Sequence, residues 1–285
     1  MESVLFVKSA LPNQLDKALK TVFEAAIKKS NRVVVVQRMA PPRALPDLDI
    51  TKDVIRLLIE MNAKPFLYDS PKIEGPLKSA KEYLKEAKQN GYTRDSFNCP
   101  VIVGEDPFST KAGTLKIGIC RDIYESDALV IINRFSGSSL LGANTALSNI
   151  ANNGVVIASK KALGEAAEKE QDKKVQKNPR KIDKHIADVG KALLSKFRKK
   201  LVIINDARKI CMTEGIYEEP GKKIAKSAGI FIGQDILSVD AATIDAILKK
   251  DGSVFTKTYK LNPIFHLQEA QSIGLGSMDF ELTKP

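Results

Sequence analysis

Short apolar runs alternate along the chain with longer segments in which apolar residues recur every three or four positions. The short runs predict strands at 4–7, 33–36, 65–68, 101–103, 115–119, 128–132, 155–158, 201–204 and 230–232. The longer segments predict helices at 14–28, 78–89, 143–154, 181–199, 237–248 and 263–274, and another that begins near Asp49 or Thr51. Strands that alternate with helices predict an α/β fold, a mostly parallel sheet with helices on both faces.

The chain has no internal repeat of 20–50 residues, and its 285 residues suffice for a substantial core. We therefore expect residues 1–285 to form one large α/β unit. Within it, residues 160–200 are predicted to be a lysine-rich helical excursion, with a break at Asn178-Pro179.

The net charge of +11 is unevenly distributed along the chain. Residues 160–200 hold 14 Lys and Arg against 6 Asp and Glu, a net charge of +8. This excess is typical of a solvated helix face, and a basic rim that attracts an anionic ligand is the second interpretation. Association with nucleic acid through 160–200 is a third, although the segment has one aromatic residue, Phe197, and no recognisable binding motif.

Composition excludes several classes of protein. No apolar run approaches the length of a membrane span, so we expect no membrane partner. Cys99, Cys120 and Cys211 are far apart and form no Cys-x-x-Cys pair, so their spacing encodes neither an iron–sulfur cluster nor a structural zinc site. Unpaired cysteines favour a reducing, cytoplasmic environment.

Residues 126–154 hold the strongest candidate site. The predicted strand 128–132 leads into a loop of Arg134, Ser136, Gly137, Ser138 and Ser139, and then into a helix. A guanidinium, several hydroxyls and a helix N-terminus favour a bound phosphate or carboxylate, and glycine permits close approach of the backbone. The alternative is an ordinary turn, in which the serines cap the helix and the arginine pairs with a surface acid.

Carboxylates follow several predicted strands. Asp69, Asp206 and Asp235 each come directly after one, and Ser70 follows Asp69. In a parallel sheet such side chains gather along one edge, where open α/β sheets bind ligands. We expect a cleft at the strand ends marked by Asp69, Ile132 and Asp206, with Asp69 and Ser70 as ligand-binding residues.

Three acids are candidate catalytic residues: Asp206 again, and Glu214 and Asp240. They could act as a general base or hold Mg²⁺. The alternative is that such residues cap helices or form turns, and that Asp240 complements a helix dipole. His185, placed by its helical spacing on the outward face with Lys181 and Asp188, is a further candidate at the cleft.

Three stretches in order resemble the domain-of-unknown-function 362 (DUF362) family. They are 51–71, which ends in Asp69-Ser70-Pro71; 126–154; and 201–245, which contains Gly233-Gln234-Asp235 and Val239-Asp240. The helix that carries His185 and Asp188, and the closing Gly274-Leu275-Gly276, also match the pattern. The resemblance implies the family's α/β architecture, and members are often labelled iron–sulfur centre proteins.

The chain departs from this pattern in its basic groups. Arg134, Ser136 and Ser138 stand where members carry Lys, Lys and His, and Ser148 stands where a Lys precedes Asn149. The cysteine-rich insert is missing, so we predict no iron–sulfur cluster. The sequence thus predicts a divergent member that binds an anionic small molecule at 128–150 and leaves catalysis undetermined. The alternative is a non-catalytic binding or assembly module.

Overall fold

A computed structural model describes residues 1–8, 12–41, 45–71, 79–156, 158–161, 175–212 and 221–285. Its central feature is an eight-stranded sheet. The strands of this sheet are β1 (Glu2–Val7), β2 (Arg32–Val36), β3 (Lys64–Asp69), β4 (Val101–Val103), β7 (Ala128–Arg134), β10 (Leu201–Asp206), β11 (Ile230–Gly233) and β12 (Phe280–Thr283). Two hairpins lie outside it, β5 (Pro107–Ala112) with β6 (Leu115–Cys120), and β8 (Ser136–Ser138) with β9 (Gly142–Asn144).

The strand order is β12-β1-β11-β10-β7-β2-β3-β4. Strands β4, β3, β2, β7 and β10 are parallel to one another, β11 is antiparallel to both of its neighbours, and β12 is parallel to β1. The predicted α/β fold with a mostly parallel sheet is therefore confirmed.

Helices cover both faces of the sheet. The α2 face carries α1 (Pro12–Ala26), α2 (Leu48–Glu60) and α3 (Ala80–Gln89). The α6 face carries α6 (Ala146–Asn153), α7 (Lys181–Leu194), α8 (Ile236–Asp251), α9 (Val254–Tyr259) and α10 (Phe265–Ser272). Short helices α4 (Arg94–Phe97) and α5 (Arg121–Tyr124) precede β4 and β7. Within the described part of the chain, no helix has the length and apolarity needed to cross a membrane.

Each central strand is buried on both sides. In β2, Val33 and Val35 belong to the core on the α2 face, whereas Val34 and Val36 belong to the core on the α6 face. Two-sided burial is why these strands are continuous apolar runs rather than alternating ones.

The parallel neighbours β2 and β7 are connected to their next strands in opposite directions along the sheet. From β2 the chain passes through α2 on one face to β3, and from β7 it passes through α6 and α7 on the other face to β10. In open α/β sheets in general, ligands bind outside the carboxyl ends of adjacent parallel strands whose connections diverge in this way. We call the carboxyl ends of these two strands the β2–β7 crevice.

Three local predictions need correction. Residues 107–112, for which the sequence predicted neither strand nor helix, form β5 and pair with β6 from Pro107–Cys120 to Ala112–Leu115. Within 155–158, predicted as a strand, Val155 makes an isolated bridge to Ile119, and residues 158–161 are helical. In the central stretch, the β8–β9 hairpin separates the strand from its helix. Much of the predicted 160–200 excursion, residues 162–174, lies outside the described residues.

Candidate anion site at the carboxyl edge of the sheet

Arg134 is the last residue of β7 and borders the β2–β7 crevice. Its Nη1 donates to the carbonyl oxygen of Leu45, just before α2, at 3.3 Å. The next residue, Phe135, packs in the core on the α6 face. Because successive residues of an extended chain face opposite sides, Arg134 and Ser136 lie on the α2 side of the edge.

Two buried polar groups lie at these strand ends on the same side of the sheet. The Ser136 Oγ and the Gln37 Nε2 have no hydrogen-bond partner among the described residues, although Ser136 is 5% exposed and Gln37 1%. The Gln37 Oε1 accepts the hydroxyl of Thr51 on α2 at 2.8 Å, which fixes the direction of the amide. Buried polar groups are almost always satisfied, so these two need an explanation. We call Gln37, Arg134 and Ser136 the Arg134 site.

At the neighbouring strand end, that of β10, Arg208 forms two ion pairs. Arg208 bonds to the Oδ2 of Asp206 at 2.7 Å and to the Oδ2 of Asp47, the N-cap of α2, at 2.9 Å. The hydrogen bonds that Arg208 donates to Asp206 are the main cause of the raised pKa of Arg208. Asp206, a candidate catalytic residue, is therefore held in an ion pair.

The first turn of α6 already holds a carboxylate. The Oδ1 and Oδ2 of Asp240 accept the backbone N–H groups of Ala146 and Leu147 at 2.9 Å each. Burial raises the pKa of Asp240 to about 6, against the hydrogen bonds it accepts. An acid from α8 thus occupies the position that the sequence assigned to an external anion. Thr145, not one of the loop serines, caps this helix.

The remaining loop residues form the β8–β9 hairpin. The backbone N–H of Gly137 donates to the carbonyl oxygen of Cys211 at 2.9 Å. A Cβ on Gly137 would overlap Tyr259 and Ile224, so the glycine is needed for close packing against these two side chains. The Ser138 Oγ accepts from Leu140 N at 3.2 Å, within the turn that contains the exposed Ser139. Of the predicted set, only Arg134 and Ser136 are placed beside the β2–β7 crevice.

Asp69 and Ser70 leave β3 on the other side of β2. Asp69 is buried and accepts the backbone N–H of Met39 at 3.0 Å and the hydroxyl of Tyr83. Burial first, and then the charge of Asp69, raise the pKa of Tyr83 well above its usual value. Asp69 thereby fixes the segment that follows β2.

A buried lysine contacts Ser70. The Nζ of Lys160, which is 3% exposed, donates to Ser70 Oγ and to the carbonyl oxygen of Pro71 at 2.6 Å each. Ser70 Oγ in turn donates to the carbonyl oxygen of Asn153 at 2.8 Å. This ties the ends of β3 and α6 to the segment that contains Lys160.

A chain of side-chain amides crosses the α6 face beneath the crevice. Asn153 donates to Asn149, Asn149 to Asn133, Asn133 to Asn205, and Asn205 to Asp240, over 2.7–3.3 Å. Every amide in this asparagine chain donates towards the carboxylate. Asp240 therefore orients polar groups at the ends of β7 and β10.

The other predicted residues do not join this site. Asp235 caps α8 at the opposite edge, because β11 runs antiparallel to its neighbours. His185 was predicted to face solvent, but α7 is covered on several sides and His185 is 5% exposed. Glu214 lies outside the described residues. Asp206 lies two residues after Ile204 in β10 and therefore on the α2 side of the sheet, whereas Asp240 lies on the α6 face. The two acids are on opposite faces of the sheet.

Metal binding has no support among the described residues, where no group of three or more His, Cys, Asp or Glu could hold an ion. The prediction that Asp206, Glu214 and Asp240 act together in catalysis or bind Mg²⁺ stays a prediction.

Sequence reasoning missed Gln37, Lys160 and the asparagine chain. One signal could have found several of them: Gln37, Asn133 and Asn205 each directly follow an apolar run of a buried strand. In a parallel sheet, an amide at that position lies at the carboxyl edge, so these three residues could have been predicted to lie there.

A family model described as "Domain of unknown function (DUF362)" matches residues 35–245. The chain belongs to this family. The match includes the carboxyl end of β2 and the whole of β7, and it confirms the family resemblance predicted from the sequence. Curated proteins yield no match.

Two solved structures resemble this DUF362 protein. The lactate racemase apoprotein from Thermoanaerobacterium thermosaccharolyticum is 15% identical, with a TM-score of 0.48, over 86% of this chain and 56% of that one. A protein from Thermotoga maritima is 15% identical, with a TM-score of 0.49, over 90% of this chain and 61% of that one. The chain thus spans somewhat more than half the length of either protein.

Proposed function

We propose that this DUF362 protein binds a small anionic molecule, through a carboxylate or phosphate group, at the Arg134 site. The observation that carries the proposal is the pair of buried groups beside Arg134, Gln37 Nε2 and Ser136 Oγ, that lack partners among the described residues. An anion would accept hydrogen bonds from both and from the guanidinium. Charge-assisted hydrogen bonds contribute roughly 1.5–3 kcal/mol each.

The position of these groups supports the proposal. They lie at the end of β7 and just after β2, on one wall of the β2–β7 crevice. This moves the binding groups from the helix terminus and the Gly137–Ser139 segment, where the sequence placed them, to the strand ends.

Calorimetric titration with inorganic phosphate and with acetate tests the proposal. We expect both to bind the native protein and Arg134→Gln to lose at least tenfold in affinity. The matched control is Arg94→Gln, an exposed arginine on α4, which should bind as the native protein does. Equal affinities in native protein and folded Arg134→Gln would contradict the proposal.

A serine pair gives a second comparison. Ser136→Ala should weaken phosphate binding several-fold because it removes a donor from the site. Ser138→Ala should not, because the Ser138 hydroxyl is engaged within its own turn. Equal effects of the two substitutions would count against Ser136.

Association with nucleic acid is a second candidate, favoured by one observation: Lys181, Lys184 and Lys191 are exposed along α7. Binding to generic RNA that weakens steeply with salt, and weakens further when the three are replaced by glutamine, would support it. No binding at low salt would remove it.

A cytoplasmic location is also part of the proposal. Its support is that Cys99, Cys120 and Cys211 are all free thiols, as is usual in a reducing compartment. Alkylation of protein denatured without reductant, straight from cells, should label all three.

A further inference from the structure

A groove of about 380 Å³ lies at the edge of the sheet opposite the β2–β7 crevice. It is bordered by Glu2 and Leu201, the first residues of β1 and β10, and by Asp235 and Ile236 at the start of α8. Its volume lies within the range of small-molecule sites, roughly 300–1,000 Å³. The groove is therefore a second place at which a small molecule could bind, distinct from the Arg134 site.

The closing Gly274-Leu275-Gly276, which matches the family pattern, forms one wall of this groove. Gly274 follows the end of α10 in a left-handed conformation, with a φ of +77°. A Cβ on Gly276 would overlap the carboxylate of Asp235, which accepts the backbone N–H of Ser277 at 3.2 Å. The two glycines therefore turn the chain out of α10 and let it pass close to the start of α8.

Three exposed cations line the groove: Lys191, Arg198 and Lys199. The Nζ of Lys191 donates to the carbonyl oxygen of Ile273, and the Nη2 of Arg198 donates to the carbonyl oxygen of Gly274 at 3.3 Å. Two consecutive carbonyl oxygens thus hold an ammonium and a guanidinium beside one another.

The charge of these cations is not neutralised by an acid. Within the part of the chain that the structure describes, none of the three forms an ion pair, and Lys191 and Arg198 bond to neutral carbonyl oxygens. An ammonium has three N–H donors and a guanidinium five, so most of their donors remain for a ligand. The wall of the groove thus presents uncompensated positive charge to its interior.

Acids stand on the other side of the groove. Asp235 is engaged, because its oxygens accept the backbone N–H groups of Leu237, Ser238 and Ser277. Burial chiefly, and the charge of Glu2 to a lesser extent, raise the pKa of Asp235. Glu2 is exposed and makes no side-chain hydrogen bond or ion pair among the described residues. Glu2 therefore offers an acceptor across the groove from the cations.

We propose that this groove binds a phosphorylated sugar or polyol, with its phosphate against Lys191, Arg198 and Lys199 and a hydroxyl group that donates to Glu2. Phosphate accepts charge-assisted hydrogen bonds from guanidinium and ammonium groups. A hydroxyl fits better than a second ammonium, which the three cations would repel. None of the described residues that line the groove is aromatic, so no side chain there stacks on a nucleotide base.

Glycine-selective ¹⁵N labelling tests the proposal, because the chain has 17 glycines and the backbone amides of Gly274 and Gly276 report on the groove. The native protein is titrated with glucose 6-phosphate, with inorganic phosphate and with glucose. We expect glucose 6-phosphate to shift both signals and to bind there at least tenfold more tightly than inorganic phosphate. Glucose at the same concentrations should leave them unchanged. No shift with glucose 6-phosphate would overturn the proposal.

Substitutions test each side of the groove. Arg198→Gln should weaken the binding of glucose 6-phosphate at least tenfold. Lys200→Gln, which removes the same charge at an exposed residue outside the lining, should bind within about twofold of the native protein. Unchanged signals from the other glycines show that each variant remains folded. Equal affinities of native protein and folded Arg198→Gln would contradict the proposal.

Glu2→Ala gives a test of opposite signs. It should weaken glucose 6-phosphate several-fold, because a hydroxyl loses its acceptor, while inorganic phosphate binds as well or better without the nearby negative charge. Tighter binding of both ligands would contradict the role of Glu2.

The same spectra separate this proposal from the anion site. Gly137 follows Arg134 in the β8–β9 hairpin, so its signal reports on the other edge of the sheet. Shifts of Gly274 and Gly276 that persist in Arg134→Gln support the groove, whatever the fate of the Arg134 site. If only Gly137 responds, the groove proposal fails and the proposed function stands. Stronger binding of a short RNA than of glucose 6-phosphate at Gly274 and Gly276 would assign the groove to a macromolecule and also contradict the proposal.

Discussion

The carboxylate of Asp240 on α8 accepts the backbone N–H of Ala146 at the first turn of α6, at 2.9 Å. The same carboxylate accepts Leu147 N and Asn205 Nδ2. One fully buried acid therefore joins a helix start, a strand end and the asparagine chain. A helix N-terminus that would attract an anion is thus neutralised from within the protein.

Asp240→Asn should lower the free energy of unfolding by about 1–3 kcal/mol, because one face of the new amide would present a donor to a backbone N–H. Asp245→Asn is the matched control on the same helix, where the carboxylate is half-exposed and pairs with Lys249 at 2.8 Å. It should change stability by less than about 0.5 kcal/mol. Because the chain has no tryptophan, urea unfolding is best followed by circular dichroism. Equal stability of both variants would show that the charge of Asp240 is dispensable.

His266 should make the protein sensitive to acid. It is buried with its Nε2 2.9 Å from Thr145 Oγ1, and burial, aided by the charge of Arg180, lowers its pKa to about 3. A lowered pKa contributes stability that is present above pH 6.5 and is lost as the pH falls. Between pH 7.5 and 5 this loss amounts to about 2 kcal/mol.

The raised pKa of Asp240 acts in the opposite sense, because it adds stability as the pH falls from 6 towards 4. The comparison is therefore between native protein and His266→Gln, both of which contain Asp240. The variant should lose about 2 kcal/mol less between pH 7.5 and 5, as measured by urea unfolding at each pH. Parallel pH profiles would contradict the burial of a neutral His266.

Two buried serines should respond differently to removal of the hydroxyl. Ser136→Ala, in the absence of ligand, should leave stability within about 0.5 kcal/mol, because that hydroxyl has no partner among the described residues. Ser70→Ala should cost about 1–2 kcal/mol, because Lys160 and the carbonyl oxygen of Asn153 lose their partner. Thermal unfolding of the two variants side by side is the measurement. A larger cost for Ser136→Ala would mean that its hydroxyl is already satisfied.

Lys160→Met should destabilise the protein by about 1–3 kcal/mol, because Ser70 Oγ and Pro71 O lose a donor. Lys161→Met, at the next and exposed position, should have an effect below about 0.5 kcal/mol. High salt should barely alter the difference, since buried charges are little screened. A difference that vanishes at 1 M salt would argue for a surface role of Lys160.

The pattern of apolar residues was enough to predict the α/β fold. Burial on both sides makes β2, β7 and β10 unbroken apolar runs, which can be recognised from the local sequence. The direction of β11 was out of reach, since a four-residue buried strand looks the same whether it runs parallel or antiparallel. That single reversal moves Asp235 to the opposite edge of the sheet. Acids that follow strands in the sequence can therefore be assigned to one edge of the sheet only if all of those strands are parallel.

The candidate site was predictable only in part. Arg134 and Ser136 could be chosen from their place after a strand, but their relation to Gln37 depends on the β2–β7 pairing. The asparagine chain joins residues up to 72 apart in sequence, and no local spacing encodes it. His185 was misplaced because helical periodicity identifies one buried face, whereas α7 packs against α6, α10 and the β5–β6 hairpin.

The position of β1 has a consequence for how the protein forms. Leu5 pairs with Ile232, more than 220 residues later in the chain. A ribosome adding about 5–20 residues per second takes roughly 11–45 seconds to make that partner. β1 therefore lacks its sheet partner β11 until most of the 285 residues have been synthesised, so the sheet cannot be completed on this side before the last part of the chain is made.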